Sequence, residues 1–207
     1  MSIAMSRYKS EIRQLQAKLT QREIIQAARR SFARNGYPRT SMNAIAREAG
    51  VVVQTIYSSV GSKRELLRRM NDLINEEGGV AELEDRMAAA EEPREVLRLC
   101  VQLTRQIAER CGDIIAAVDS AARAEPEMAE ISEEGRRRHH EGTRGVAEAL
   151  ARAGALPGGM SVERAAQLLA VLTYNEAYFQ LTRNHGMSFD AAEEWVLSAL
   201  QTLLFAQ

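Results

Sequence analysis

Residues 40–67 read TSMNAIAREAGVVVQTIYSSVGSKRELL, and this stretch decides the fold of the chain. It predicts a short helix that starts near Ser41 and buries Ile45, followed by a helix of about two turns that Ile56 anchors. Gly50 lies between the two and tolerates the left-handed backbone that a tight turn needs. Two short helices at this spacing are typical of a helix-turn-helix, whose second helix enters the major groove of DNA.

Helices are predicted on both sides of that stretch. Thr20 and Glu23 form a capping box that predicts the start of a first helix, which ends at Gly36. The basic residues 8–18 either extend that helix or form a loose arm. Ser62 and Glu65 form a second capping box, which opens a fourth helix. Further helices are predicted over residues 93–111, 113–123, 126–153, 161–184 and 189–206. No stretch alternates like a strand, so we expect an all-α chain of about nine helices.

The charge of the chain is divided unevenly along its length. Residues 1–69 contain 14 Lys and Arg against 4 Asp and Glu, whereas residues 70–207 contain 13 against 24, although the net charge is only −1. A basic segment of this kind is expected to meet a polyanion. Together with a break at Gly78, this predicts an N-terminal extension over 1–19, a helix-turn-helix domain over 20–69 and a second domain over the remainder.

The sequence also argues against several classes of protein. The N-terminus lacks the apolar run of a signal peptide, and no uncharged stretch reaches the roughly 18 residues that a membrane span needs. We therefore expect a cytoplasmic protein with no membrane partner. Phosphate-binding glycine loops, nucleophile turns and dinucleotide fingerprints are all absent from the sequence, so an enzyme is not expected.

No metal or other cofactor is predicted. Cys100 and Cys111 fit no metal or redox spacing and are expected to be buried reduced thiols, with a redox switch as the alternative. The adjacent His139 and His140 point apart on a helix and are far from His185. The run that contains this pair of histidines is expected to be a solvated helix face paired with neighbouring glutamates.

Residues 20–69 resemble the DNA-binding signature of the TetR family of transcriptional repressors. The matching positions are Ala28, Phe32, Gly36-Tyr37, Thr40-Ser41, Ile45-Ala46, Ala49-Gly50-Val51, Thr55-Ile56-Tyr57 and Gly61-Ser62-Lys63. The chain departs from the family pattern at Val60, where a large aromatic residue is usual, and at Ser58-Ser59, where bulky residues are common. The remaining two-thirds of the chain matches the family only in helix count and length.

Eleven residues form the predicted DNA-contacting set. Thr40 or Ser41 would hold a phosphate through a hydroxyl and backbone N–H groups, or would serve only as an N-cap. Gln54 can pair with adenine, and Val53 can pack on a thymine methyl group. The full set is Thr40, Ser41, Asn43, Val52, Val53, Gln54, Thr55, Tyr57, Ser58, Ser59 and Lys63.

The resemblance supplies further roles within this set. It implies that Thr55 and Tyr57 contact phosphates and that Lys63 clamps one from the start of the fourth helix. The plainer alternatives are a surface aromatic that covers the small core for Tyr57, a solvated lysine for Lys63 and simple exposure for Asn43. Because the short helix carries no Lys or Arg, we expect it to read DNA shape and A·T-rich edges more than guanine.

The second domain is expected to bind an effector and to dimerise. The last two predicted helices carry more apolar surface than one core face requires, which favours a four-helix interface with a second copy over an internal core. The residues expected in that interface are Leu169, Leu172, Trp195, Leu200 and Leu203. The resemblance implies an effector pocket, for which the candidates are Cys100, Leu103, Ile107, Tyr174, Asn175 and Tyr178, each with plain core as the alternative.

The function that the resemblance implies is transcriptional repression. A homodimer would occupy a palindromic operator on double-stranded DNA until a small-molecule effector released it. One alternative is a dimeric DNA-binding regulator without a ligand. Another, from a different class, is a helical protein-interaction module whose DNA-reading face has decayed, because the short helix is poor in polar residues.

Overall fold

The structure is a computed structural model that describes residues 2–205, with side chains described from residue 11 onward. In the predicted extension over 1–19, Met1 and the side chains of residues 2–10 therefore lie outside what the structure describes. Within the described part the chain is all-α and contains no strand, as predicted. The helices are α1 Ser2–Asn35, α2 Met42–Ala49, α3 Val53–Ser59, α4 Lys63–Glu77, α5 Val80–Ala89, α6 Pro93–Ala124, α7 Ala129–Arg152, α8 Val162–Leu172, α9 Asn175–Phe179 and α10 Phe189–Leu204.

The helix-turn-helix is built from the local signals that predicted it. The hydroxyl of Ser41 accepts a hydrogen bond from the Ala44 N–H and caps α2. Gly50 ends α2 with φ of 67°, and its N–H bonds to carbonyls of the preceding turn. The hydroxyl of Ser62 accepts a hydrogen bond from the Glu65 N–H at 3.2 Å and caps α4. These residues fix where each helix of the motif begins or ends.

Three boundaries predicted from sequence are wrong. Thr20 does not begin a helix, because α1 runs unbroken from Ser2, which is the extended-helix alternative for the residues before Thr20. Gly112 does not separate two helices but lies inside α6, where a Cβ would approach the ring of Phe179 to 3.1 Å. The helix predicted over 161–184 is interrupted, since α8 ends at Leu172 and α9 begins three residues later.

Two elements were not predicted. Helix α5 buries only Leu83, so its apolar periodicity is too weak to stand out. After α9 the chain continues as a π-helical turn over Gln180–Asn184. This turn follows the break after α8, so the penultimate part of the chain is irregular rather than one continuous helix.

The described chain forms two compact units. The first contains the residues up to Asp72 and the segment Asp113–Ser132, and the second contains Leu73–Gly112 and the residues from Glu133 onward. The predicted division near residue 70 is thus close to the first of these boundaries. It did not anticipate that the end of α6 and the start of α7 pack with the N-terminal unit.

The core of the first unit is the one that helical spacing indicated. Its buried apolar residues come from α1, α2, α3 and α4: Ile24, Ala28, Phe32, Ile45, Ala46, Ile56, Leu66, Leu67 and Met70. Burial of this apolar surface is the main force that holds the short helices in place. Asp113, at the start of the second segment of the unit, accepts two hydrogen bonds from Arg29, at 2.6 and 2.7 Å.

The core of the second unit lies where α6, α8, α9 and α10 contribute apolar residues. Leu97, Leu169, Val196 and Leu200 are fully buried there, and Tyr178 is buried with its hydroxyl on the carbonyl of Val101 at 3.0 Å. No helix in the described range is long and apolar enough to cross a membrane.

Candidate nucleic-acid interface

Helix α3 is anchored by one face and presents the other to solvent. Ile56 is fully buried, whereas Val52 is 69% exposed and Tyr57 is 50% exposed. Gln54 is exposed as well, and Val53 and Thr55 are half-buried at the edge of that surface. The exposed side chains of Val52, Gln54 and Tyr57 are therefore accessible to solvent beside the buried anchor of the helix.

Both ends of α3 are held by backbone contacts. At its start the Thr55 N–H donates to the Val52 carbonyl at 2.9 Å. At its end Gln21 of α1 donates from its side-chain amide to the carbonyl of half-buried Ser59 at 2.9 Å. The exposed hydroxyl of Ser58 donates back to the Thr55 carbonyl at 3.2 Å. The helix is therefore fixed in orientation while its outward side chains remain accessible.

The start of α2 lies on the same unit and contributes two exposed polar residues. Ser41 caps the helix while remaining exposed, and Asn43, two residues further along, is exposed as well. A helix N-terminus with exposed N–H groups and a hydroxyl can accept an anionic oxygen. Ser41 can thus act as a cap and as a phosphate contact at once.

Thr40 does not belong with these exposed residues. Its side chain is 3% exposed, and its hydroxyl lies 2.8 Å from the Gly36 carbonyl and 3.1 Å from the Ser31 carbonyl, to which it donates. The donor is therefore used inside the protein, where it ties the turn before α2 to the end of α1. The predicted phosphate contact from the Thr40 side chain is wrong, because its hydroxyl cannot reach an outside ligand.

Lys63 is positioned by a buried tyrosine. Its Nζ lies 4.1 Å from the centre of the Tyr37 ring, a distance at which the ring face attracts the ammonium group. Burial lowers the pKa of Lys63, and the nearby Glu125 carboxylate partly opposes that shift. Burial likewise raises the pKa of the Tyr37 hydroxyl, which lies 3.6 Å from the Met128 sulfur. The ammonium at the start of α4 is thus held on an aromatic surface rather than free in solvent.

Glu48 fixes α2 against α1, and sequence reasoning missed it. Its carboxylate accepts hydrogen bonds from Ser31 at 2.8 Å, from Arg30 at 2.8 Å and from Arg34. Burial raises its pKa, but those hydrogen bonds lower it by more, and the net shift is downward. The only signal in the sequence was that Glu48 is one of four acidic residues in a basic segment, which does not reveal its partners.

The candidate effector residues divide into buried and half-buried groups. Burial raises the pKa of Cys100 to about 12 and also raises that of Tyr178, whose hydroxyl is engaged with Val101 and lies 3.3 Å from Thr104. These two residues are part of the core of the second unit. Leu103, Ile107, Tyr174 and Asn175 are half-buried.

The residues predicted to form the dimer interface also differ in burial. Leu169 and Leu200 are fully buried within their own chain, so as partner contacts they were predicted wrongly. Trp195 and Leu203 on α10 are 49% and 42% exposed, and Leu172 is half-buried. Val171 on α8, which was not predicted, is 70% exposed. Helices α8 and α10 pack together, so these exposed apolar residues lie on a pair of neighbouring helices.

His139 is not the solvated residue that its run suggested. Its Nε2 lies 3.0 Å from the Ala170 carbonyl, and its ring meets Tyr174 edge-on at 5.3 Å. Burial lowers its pKa, with a smaller opposing effect from that hydrogen bond. The Ala170 carbonyl is near the end of α8, where the interrupted helix leaves carbonyls without backbone donors. The neighbouring Arg137 and Arg138 do pair with Glu134, as predicted.

Within the described residues no group of three or more His, Cys, Asp or Glu side chains is placed to hold a metal ion. Both cysteines are buried and neither forms a disulfide, as the sequence predicted.

Comparison with known proteins extends these observations. A family model described as bacterial regulatory proteins, tetR family, matches residues 24–70. The chain is 30% identical over 163 residues to the probable HTH-type transcriptional regulator ArpR of Pseudomonas putida, across 73% of this chain and 75% of that protein. It is 28% identical over 203 residues to the HTH-type transcriptional regulator TtgR, also of Pseudomonas putida, across 91% of this chain and 93% of that protein.

Solved structures share the fold. The transcriptional regulator FadR from Bacillus subtilis, in complex with stearoyl-CoA, superposes with a TM-score of 0.71 at 20% identity, and the match covers 86% of this chain and 96% of that chain. The likeness therefore extends well beyond the helix-turn-helix, to most of the second unit.

Proposed function

Because the chain belongs to the TetR family of bacterial regulatory proteins, we propose that it is a homodimeric repressor that a small-molecule effector releases from a near-palindromic operator. Its relatives are transcriptional regulators rather than enzymes. The observation that carries the proposal is α3, which Ile56 anchors and which holds Gln54 and Tyr57 outward, with Val52 exposed just before the helix begins. This function places the protein in the cytoplasm, with the DNA.

The proposed contacts with DNA are of two kinds. Gln54 and the two valines at the start of α3 read base edges, where an amide pairs with adenine and a methyl group meets thymine. Ser41, Tyr57 and Lys63 contact phosphates and set the register without reading sequence. Asn43, Thr55, Ser58 and Ser59 remain proposed contacts at the edges of this surface. With no Lys or Arg on α3, specificity comes from A·T-rich edges and groove shape.

A second copy is proposed because one small domain reads too few base pairs. In a dimer, the α3 helices of the two copies would lie about 34 Å apart and would enter successive major grooves on one side of the duplex. The exposed residues Val171, Trp195 and Leu203 support α8 and α10 as the contact between copies. Packing those side chains against a second copy would remove from water the apolar surface that the single chain leaves uncovered.

The effector is proposed to bind in the second unit. FadR of Bacillus subtilis, which shares the fold, was solved in complex with stearoyl-CoA, and this supports a small-molecule effector for the present chain. The half-buried Leu103, Ile107, Tyr174 and Asn175 are the candidates for ligand contact. A ligand can release DNA only by as much as it prefers the non-binding state, commonly about 1–3 kcal/mol. Helix α4 is the proposed carrier of the change, since Lys63 lies at one end of it.

Selection of bound DNA tests the proposal. Random duplexes enriched by the full-length protein should converge on two A·T-rich half-sites in inverted orientation, about ten base pairs apart from centre to centre. Leu203→Glu should raise the protein concentration at which half of the copies are paired, and it should weaken binding to the selected site. Ala88→Glu, which adds the same charge at an exposed position of α5, is the matched control. No enriched sequence, or a single half-site with a G·C-only core, would contradict the proposal.

A further inference from the structure

Helix α1 extends well beyond the folded core of the first unit. The first buried residue in its described part is Ile24, and residues 11–19 are all exposed. Three of those exposed residues are large and apolar: Ile12 at 38%, Leu15 at 59% and Leu19 at 56%. Apolar side chains of this size on one helix, without cover, form a stripe that needs a partner.

The stripe cannot be an extension of the core face of the same helix. Leu15 and Ile24 are nine residues apart, which is about two and a half turns, so they point to opposite sides of α1. Ile24, Ala28 and Phe32 form the face that packs into the first unit. The apolar stripe therefore lies on the side of α1 that faces away from the core of its own chain.

The spacing of the stripe matches one kind of partner. Ile12, Leu15 and Leu19 follow the 3,4 spacing of a coiled-coil seam, and Met5 and Tyr8 continue that spacing in the sequence. A seam of this sort is narrower than the apolar face of a helix that packs into a globular core or lies on a membrane. We propose that the part of α1 that contains Ile12, Leu15 and Leu19 pairs with the same segment of a second copy as an antiparallel two-stranded coiled coil.

The charges beside the seam favour the antiparallel orientation. Glu11 and Lys18 occupy equivalent flanking positions one heptad apart. When Ile12 lies opposite the partner's Leu15, Glu11 lies near the partner's Lys18, and symmetry makes this ion pair twice. A parallel pair would instead bring the positively charged N-terminal units of the two copies close together. The antiparallel pair separates the two Ile24 positions by about 30 Å.

Cysteine cross-linking in the full chain tests this arrangement. Two differently tagged copies are co-expressed, one with Ile12→Cys and the other with Leu15→Cys, and are oxidised mildly without DNA. We expect a covalent product that carries both tags. The control pair is Arg13→Cys with Gln14→Cys, which lies at the same level of the two helices but points away from the seam. Wild-type protein is the blank, since Cys100 and Cys111 are buried.

The outcomes separate the possible partners of the stripe. A mixed-tag product several-fold above the control pair supports the proposal. No product above that control would overturn it, as would a product that forms only when DNA is added, because DNA would then hold the segment. Cross-linking of the Ile12→Cys copy mainly to itself would show a parallel pair and would also overturn it.

Discussion

Glu48 determines how α1 and α2 of the first unit pack against each other. The sequence shows the apolar residues that such a domain buries, because Ile45 and Ile56 stand at helical spacing within a short window. It does not show that Glu48 is bound by side chains 14 to 18 residues earlier in the chain. Thr40 was misread for the same reason, since its two carbonyl partners are brought to it by the turn. Polar partners depend on tertiary contacts that local patterns do not encode.

Replacing Glu48 should destabilise the protein in a pH-dependent way. Glu48→Gln keeps the shape but weakens charge-assisted bonds to Arg30 and Arg34, so we expect a loss of about 1–3 kcal/mol in the free energy of unfolding at pH 7. The folded pKa of Glu48 is lowered, so its contribution is present above the unfolded pKa of about 4.3 and disappears as pH falls through the folded pKa.

Urea unfolding of wild type and variant from pH 7 down to pH 3 measures this effect. The difference between the two should be largest at neutral pH and should narrow in acid. Glu82→Gln, at an exposed position of α5, controls for the loss of one carboxylate. A difference that is constant with pH, or that grows in acid, would show that the ionised form of Glu48 contributes nothing.

At the scale of elements, helix positions were easier to predict than helix continuity. Caps at Ser41 and Ser62 were visible because each depends on residues within one turn. The interruption after α8 was not visible, since its free carbonyl at Ala170 is satisfied by His139, 31 residues away. Gly112 was read as a break, but it accommodates the ring of Phe179 inside a continuous helix. A glycine in a helical stretch can therefore mark either the end of a helix or a close packing contact within it, and the sequence alone does not distinguish the two.

Two glycines of the second unit should respond oppositely to substitution. A Cβ on Gly78 would lie 2.5 Å from the Ile74 carbonyl oxygen and 2.8 Å from Ile107 Cγ1, so Gly78→Ala should cost about 1–3 kcal/mol. Gly142 lies within α7 with nothing within 4 Å of an added Cβ, so Gly142→Ala should stabilise by about 0.5–1 kcal/mol.

Thermal and urea unfolding of both variants provide the measurement, and each serves as the control of the other. Stabilisation by Gly78→Ala would show that the turn between α4 and α5 has room for a methyl group. If the two substitutions changed the free energy of unfolding equally, the intrinsic preference of alanine over glycine, and not the surrounding atoms, would determine both effects.

At the scale of the whole molecule, the division of charge along the chain was the most useful prediction. It predicts that the DNA-binding surface lies in the N-terminal third, and the exposed face of α3, which is the proposed surface, lies in that region. The part of the site built by distant residues was not predicted. Tyr37 beneath Lys63 and Gln21 at the end of α3 act through contacts that only the fold creates.

The salt dependence of DNA affinity tests the central claim most directly. Dissociation constants for the selected operator are measured by fluorescence anisotropy from 50 to 300 mM salt, roughly the range in which counterion release dominates. For wild type, the logarithm of affinity should fall steeply and linearly with the logarithm of salt concentration. Lys63→Gln should weaken binding to all duplexes alike and reduce that slope by about one.

Gln54→Ala is the matched variant in this experiment, because it should leave the slope unchanged while reducing discrimination against a substituted half-site. Together the two variants separate phosphate contact from base reading on the surface formed by α3 and the start of α4. Affinity that is insensitive to salt, or that neither substitution alters, would contradict the account, since the duplex would then be bound elsewhere or not at all.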